Sequence, residues 1–181
     1  MNMMLDELLQ ALKSLSRTGW MLRGVPHSEA ETVAAHSWES AVLALLIAYK
    51  LKEKGYKISP EKAATLALIH DLAESVMGDI PKWTSDACGE TRELIERQAL
   101  NVLPLQGEVK SLLEEWMKQD TLESKVAKAG DYVSTYLQAR RYYDQGIRGV
   151  REIMESSIKA LGKLKIHIPD LTDILRELGL T

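Results

Sequence analysis

Residues 59–81, "SPEKAATLALIHDLAESVMGDIP", open with a serine and a proline and close on a glycine-proline turn. Ser59 is placed to cap a helix and Pro60 fits its first turn, where a missing N–H costs nothing. Beyond Lys62 the run is almost wholly apolar or small, which marks a helix buried in a core. Working outward, Leu5, Leu8, Leu9, Leu12 and Leu15 recur at spacings of three and four, the stripe of an amphipathic helix that ends near "SRTGW", where Gly19 can break it. Ser28 and Glu31 have capping-box spacing before a long helix from about residue 31 to Gly55. Further helical patterns run over about 86–102, 107–118, 121–145, 149–163 and 170–179, with Thr121 and Gly146 bracketing the longest. No stretch sustains period-two alternation. The expectation is an all-α, compact single domain over residues 1–181, a bundle of about seven to eight helices.

Composition narrows the function classes. A net charge of −3 and a pI near 5.9 leave no basic stripe to follow a nucleic-acid polymer. The longest apolar run, "AVLALLIAY" from Ala41, is too short to cross a bilayer, and "MNMMLDELLQ" lacks the build of a signal peptide. A single cysteine, Cys88, cannot form an internal disulfide. A cytoplasmic protein with no membrane partner is expected.

Against this background, "IHDLAE" is anomalous. His70 and Asp71 are adjacent, and Glu74 lies four residues from the first and three from the second, so on a helix the three groups converge within one turn. A buried carboxylate without a partner is costly, so a metal ion, an Arg or a Lys must answer it. His36 in "VAAHSWESAVLALL" and Asp131 in "VAKAGDYVSTYL" are likewise polar positions in apolar helices. Each has an ordinary reading, a hydrogen-bonded core histidine and an aspartate paired with Lys128. Together they supply two imidazoles and two carboxylates from three helices, a ligand set suited to one divalent transition ion, Mn²⁺, Fe²⁺, Co²⁺, Ni²⁺ or Zn²⁺.

The order His, His-Asp, Asp resembles the HD-domain metal-dependent phosphohydrolases, and within them the 5'-deoxynucleotidases. The resemblance covers about residues 5–145 and rests on "RTGWMLRGV", "ETVAAHS", "LIHDLAESVMGDIP" and "KAGDYVSTYLQA". It implies metal ligands at His36, His70, Asp71 and Asp131, with Asp71 also counted as catalytic, a catalytic acid at Glu74, and a deoxyribose contact at Asp79. It also implies a basic and aromatic pair for phosphate and sugar at Arg17 and Trp20, and a homodimer. The remaining histidines are His27 and His167; none lies between His70 and Asp131, where two-metal relatives place extra ligands, so a single ion is expected. Relatives acting on guanosine tetraphosphate carry Glu-Asp where this chain has Glu74-Ser75.

The chemistry so implied is hydrolysis of deoxyribonucleoside 5'-monophosphates, broad in base, with Arg17 and Arg23 as candidate phosphate contacts because guanidinium meets phosphate in a fork. Glu74 would protonate the departing 5'-oxygen. Two other readings stand beside it: hydrolysis of a triphosphate, pyrophosphate or other small phosphoester, and a non-catalytic helical binding domain that keeps a metal for stability. Trp38, Trp83 and Trp116 read as packing or interface residues.

Overall fold

The computed structural model describes residues 4–180; "MNM", where the signal-peptide reading begins, and Thr181, the end of the expected domain, lie outside them. The described residues are all helical apart from turns and one isolated antiparallel bridge, Ser16 with Thr32. In order the helices are α1 (Leu5–Ser14), α2 (Thr18–Met21), α3 (Val33–Glu53), α4 (Pro60–Ile69), α5 (Glu74–Met77) and α6 (Lys82–Cys88). They continue with α7 (Glu90–Val102), α8 (Glu108–Lys118), α9 (Leu122–Asp144), a 3-10 turn (Arg148–Val150), α10 (Arg151–Leu164) and α11 (Leu171–Glu177).

Helix α3 and helix α9 form the axis, packed on each other and on α4, with α10 against α9 and α1 against α3. Their shared core includes Leu43, Ile47, Leu51, Ala63, Val126, Val133 and Ile174. Gly130 is what lets the two long helices meet: a Cβ there would stand 2.5 Å from the carbonyl oxygen of Ser40 and 3.0 Å from the amide of Ala44. Backbone cannot yield to such a contact as a side chain can. Any larger residue would therefore push α9 off α3 at the position next to Asp131.

Several expected boundaries hold for the expected reasons. Ser59 accepts from the amide of Lys62 at 3.2 Å and Thr121 from that of Ser124 at 3.1 Å, each capping its helix. Gly55 and Gly146 close α3 and α9 with φ of +93° and +99°, where an L side chain would be strained.

Other boundaries differ, and the helix count exceeds seven to eight. Helix α1 stops at Ser14, because Leu15 and Ser16 turn extended to bridge Thr32; Gly19, expected as the breaker, sits inside α2. Thr32 rather than Ser28 caps α3, accepting from the amide of Ala35 at 3.3 Å. The pattern over 86–102 splits at Gly89, whose φ is +52°. Most consequential, the third helix ends at Ile69. From there the backbone bonds run three residues back, Leu72 to Ile69, Glu74 to Asp71, Ser75 to Leu72 and Val76 to Ala73. This is a 3-10-like tightening, in which positions three apart eclipse one another. Asp71 and Glu74 are such a pair.

Candidate metal centre and active site

His36 from α3, His70 at the end of α4 and Asp71 converge, with one ligating atom of each within 4.8 Å of the others. The two imidazoles are buried and lie edge to face, centroids 5.3 Å apart. The Nδ1 of His70 is 2.7 Å from the carbonyl oxygen of Ala67, which can only accept, so Nδ1 carries the proton. The Nε2 of the neutral ring then turns a lone pair toward Asp71 Oδ2, 3.0 Å away. A lone pair facing a carboxylate needs a cation or a proton between them. The titration behaviour says the same. Burial opposes charge on His70, but Asp71 outweighs it and the ring's pKa is raised. Asp71, despite burial, is held down to about 2 by His70 and His36.

Asp131, from α9, stands at the edge of this group. Its Oδ1 is 3.1 Å from His36 Nε2 and its Oδ2 3.0 Å from Lys128 Nζ, so the ordinary reading of Asp131 as the partner of Lys128 and its place beside the histidines both hold. Burial would raise its pKa, but Lys128 and the two histidines hold it well below the usual carboxylate range. Lys128 is sandwiched between Trp116 and Tyr132, 4.7 and 5.1 Å from their ring centroids, and Trp116 also covers His70 at 4.8 Å. Two imidazoles and nearby carboxylates, buried and acceptor-rich, fit a divalent ion in both donor type and charge.

Glu74 opens α5 directly beyond the cluster. Its Oε2 is buried and has no hydrogen-bond partner in the protein. Burial first, then Asp71 and Asp79, push its pKa up to about 10, so it is a neutral acid at pH 7. The adjacent Ser75 hydroxyl is spent on the Leu72 carbonyl at 2.7 Å.

A cavity of about 780 Å³ opens onto this cluster and takes in Arg17, Trp20, Arg23, His70, Asp71, Glu74, Asp79 and Asp131. Arg17 lies in a cage: Nη1 is 3.2 Å from Glu31 Oε2, 3.2 Å from His36 Nδ1 and 3.4 Å from Thr135 Oγ1. Burial works against its charge, but Glu31, Asp71 and Asp131 keep it protonated. Trp20 is only 2% exposed, donates Nε1–H to Glu31 at 3.1 Å and meets Tyr142 edge to face, so most of the ring is core. Asp79 Oδ2 accepts from the amide of Thr18 at 2.6 Å, tying the loop after α5 to the start of α2. Arg23 is engaged by Glu152 of α10 at 2.8 Å.

Sequence reasoning overlooked part of the wall. Arg92 and Glu96 of α7 line the cavity; Arg92 Nε is buried without a partner, and burial, opposed by Arg92 and abetted by Asp71, raises the pKa of Glu96. At a spacing of four on a polar helix they look like any solvated pair, so no signal in the sequence distinguished them. Glu31, expected in a capping box, instead gathers Arg17 and Trp20. The expected histidines outside the site, His27 and His167, are exposed; so are Trp38 and Trp83, at 65% and 78%, whereas Trp116 is buried. No helix among the described residues is long and apolar enough to cross a membrane.

Comparison with known proteins fits this architecture. A family model described as HD domain matches residues 9–167, reaching past the limit of about 145 set by the motifs. The human 5'-deoxynucleotidase HDDC2 is 33% identical over 142 residues, 76% of this chain and 66% of that protein, so the chain spans slightly under two thirds of its length. The Danio rerio protein of the same name is 28% identical over 179 residues, 96% of this chain and 84% of its own. Among solved structures, a conserved hypothetical protein from Pyrococcus furiosus is 34% identical and superposes with a TM-score of 0.80, covering 97% of this chain and 96% of that one. With buried His36 and His70 beside a half-buried Asp71 and a family match over most of its length, the chain belongs to the HD domain family.

Proposed function

We propose that the protein is a metal-dependent phosphomonoesterase that converts deoxyribonucleoside 5'-monophosphates to deoxynucleoside and phosphate. The observation that carries this reading is Glu74, whose buried Oε2 has no partner in the protein and whose pKa is raised by burial and by Asp71, directly beside an acidic, histidine-rich cluster. A structural metal site has no use for such an acid, whereas a poor alkoxide leaving group does. The names of the human and Danio rerio relatives support the choice of substrate.

In this reading His36, His70, Asp71 and Asp131 hold one divalent ion of the Mn²⁺, Fe²⁺, Co²⁺, Ni²⁺ or Zn²⁺ class. When bound, the ion supplies positive charge to the phosphoryl group and lowers the pKa of water toward about 7. Arg17, held charged in its cage, faces the phosphate oxygens. As the bond between phosphorus and the 5'-oxygen breaks, Glu74 gives its proton to that oxygen; the attacking water contributes its oxygen to phosphate and its proton restores the acid. Asp79 accepts from the sugar 3'-hydroxyl through its remaining capacity, and Trp20 presents the edge of a fixed ring to the sugar. Arg23, already paired with Glu152, serves chiefly to fix α10 as the far wall of the cavity. That wall is why the single domain we assign to residues 1–181 needs the helices beyond 145.

The working unit in this proposal is a homodimer. Trp38, Val42, Leu46 and Tyr49 form an exposed apolar stripe along α3, continued by Leu68 of α4, and such a face favours a second copy. The test of function is phosphate release from a panel of 5'-deoxyribo- and 5'-ribonucleoside monophosphates by metal-stripped protein resupplied with single ions. Metal-dependent release that favours the deoxy compounds is expected. Release of pyrophosphate from triphosphates instead, or no product from any nucleotide, would overturn the assignment.

A further inference from the structure

On the side of His36 away from the cluster runs a line of polar contacts that the proposed reaction leaves unused. Arg141 clasps Glu39 through both nitrogens, Nη2 to Oε1 at 2.6 Å and Nη1 to Oε2 at 3.2 Å. Glu39 Oε2 accepts from Ser134 Oγ at 2.9 Å, and Ser134 Oγ is 3.2 Å from His36 Nδ1. Ser134 is fully buried, on the same face of α9 as Asp131. The hydrogens have one consistent direction. A carboxylate only accepts, so Ser134 gives its proton to Glu39 and offers His36 nothing but lone pairs.

That polarity matters for the ring's other nitrogen. An imidazole that ligates through Nε2 must carry its one proton on Nδ1 and needs an acceptor there. The other close neighbour of Nδ1, Arg17 Nη1 at 3.2 Å, can only donate and favours the opposite tautomer, with Nε2–H directed to Asp131 Oδ1 at 3.1 Å. Arg17 has alternative acceptors in Glu31 and Thr135; Nδ1–H has Ser134. We propose that Ser134 and Glu39 are positioning residues for the metal centre, fixing His36 in the tautomer that ligates, with Arg141 anchoring Glu39. This rests on the reading of His36 as a metal ligand.

The decisive experiment measures ion affinity rather than turnover. Wild-type, Ser134→Ala and Glu39→Ala proteins are stripped and titrated with Zn²⁺ by competition against a chelator of known strength, with circular dichroism to confirm folding. The Nδ1–H of His36 is followed by ¹⁵N-resolved NMR in the Zn²⁺-loaded proteins. Both variants should bind about 10–100-fold more weakly, the range for losing an outer partner of a ligating histidine. In both, the Nδ1–H resonance should move upfield and exchange faster with solvent. Wild-type affinity and an unshifted Nδ1–H in the two variants would overturn the proposal while leaving the metal centre intact. Failure of the wild-type protein itself to bind any ion would instead overturn the metal centre, and this proposal with it.

Discussion

Two sets of residues around the cavity differ in how well their polar groups are satisfied. On the axis formed by α3, α4 and α9, the charged and polar side chains are interlocked, Asp131 with His36 and Lys128, His36 with Ser134 and His70 Nδ1 with Ala67, leaving the contact of His70 Nε2 with Asp71 to be completed by a cation or a proton. On the wall made by α5 and α7, Glu74 Oε2 and Arg92 Nε are buried with no partner. Buried polar atoms are rarely left so, and their exceptions ask for a missing partner. In the function proposed above, the axis would be completed by something permanent, an ion between its donors, and the wall by something transient, a substrate bound during each turnover.

The largest effect should come from cutting the axis. Asp71→Ala should lose bound ion and at least about 10³-fold in phosphate release, since both charge stabilisation and activated water depend on it. Elemental analysis beside a rate assay reads both. Glu74→Gln should separate the walls, lowering turnover by about 10²–10⁴-fold with metal content unchanged; a nearly wild-type rate would remove Glu74 as the acid.

The same substitution should stabilise the metal-free protein. Glu74 stays protonated in the fold up to about pH 10 but ionises in the unfolded chain near its ordinary value of 4.5. Above that lower value the unfolded state binds fewer protons, so stability falls as pH rises toward 10. Gln escapes the loss. Denaturant melts at pH 5 and pH 8 should show the variant's advantage growing to about 1–3 kcal/mol at the higher pH.

Gly130→Ala tests the axis through geometry alone. With a Cβ 2.5 Å from the Ser40 carbonyl, α9 must shift, costing about 1–3 kcal/mol in thermal or chemical melts and weakening ion binding by displacing Asp131. The smallest effect belongs to the wall: Arg92→Met should raise KM by about 3–10-fold, leave metal content unchanged and move kcat little. A drop in metal content in that variant would blur the two walls into one.

The long elements and the chemistry of the axis were readable because each left a local mark. Ser59, Thr121, Gly55 and Gly146 punctuate helices by capping and positive φ, and His36, His70, Asp71 and Asp131 stand out as polar residues in apolar runs. The backbone change at His70 was not readable. Nothing between Ile69 and Ala73 breaks a helix by composition, yet the backbone bonds there tighten to a spacing of three residues. Gly130 carries no mark of its role in the local sequence, since that role depends on Ser40 and Ala44, far away in the chain. Arg92 and Glu96 were hidden for the same reason, since a charged residue on a helix looks solvated until its tertiary neighbours are in place, and Glu31, just before α3, was hidden by its capping-box spacing.

The division between permanent and transient walls can be tested by anomalous diffraction from crystals of the protein grown with Mn²⁺ or Zn²⁺ and without nucleotide. One strong anomalous peak per chain is expected, within ligand distance of His36 Nε2, His70 Nε2, Asp71 and Asp131, and none against Glu74 or Arg92. An ion bound on the α5–α7 wall, or crystals that show no peak among the two histidines and two aspartates, would contradict it.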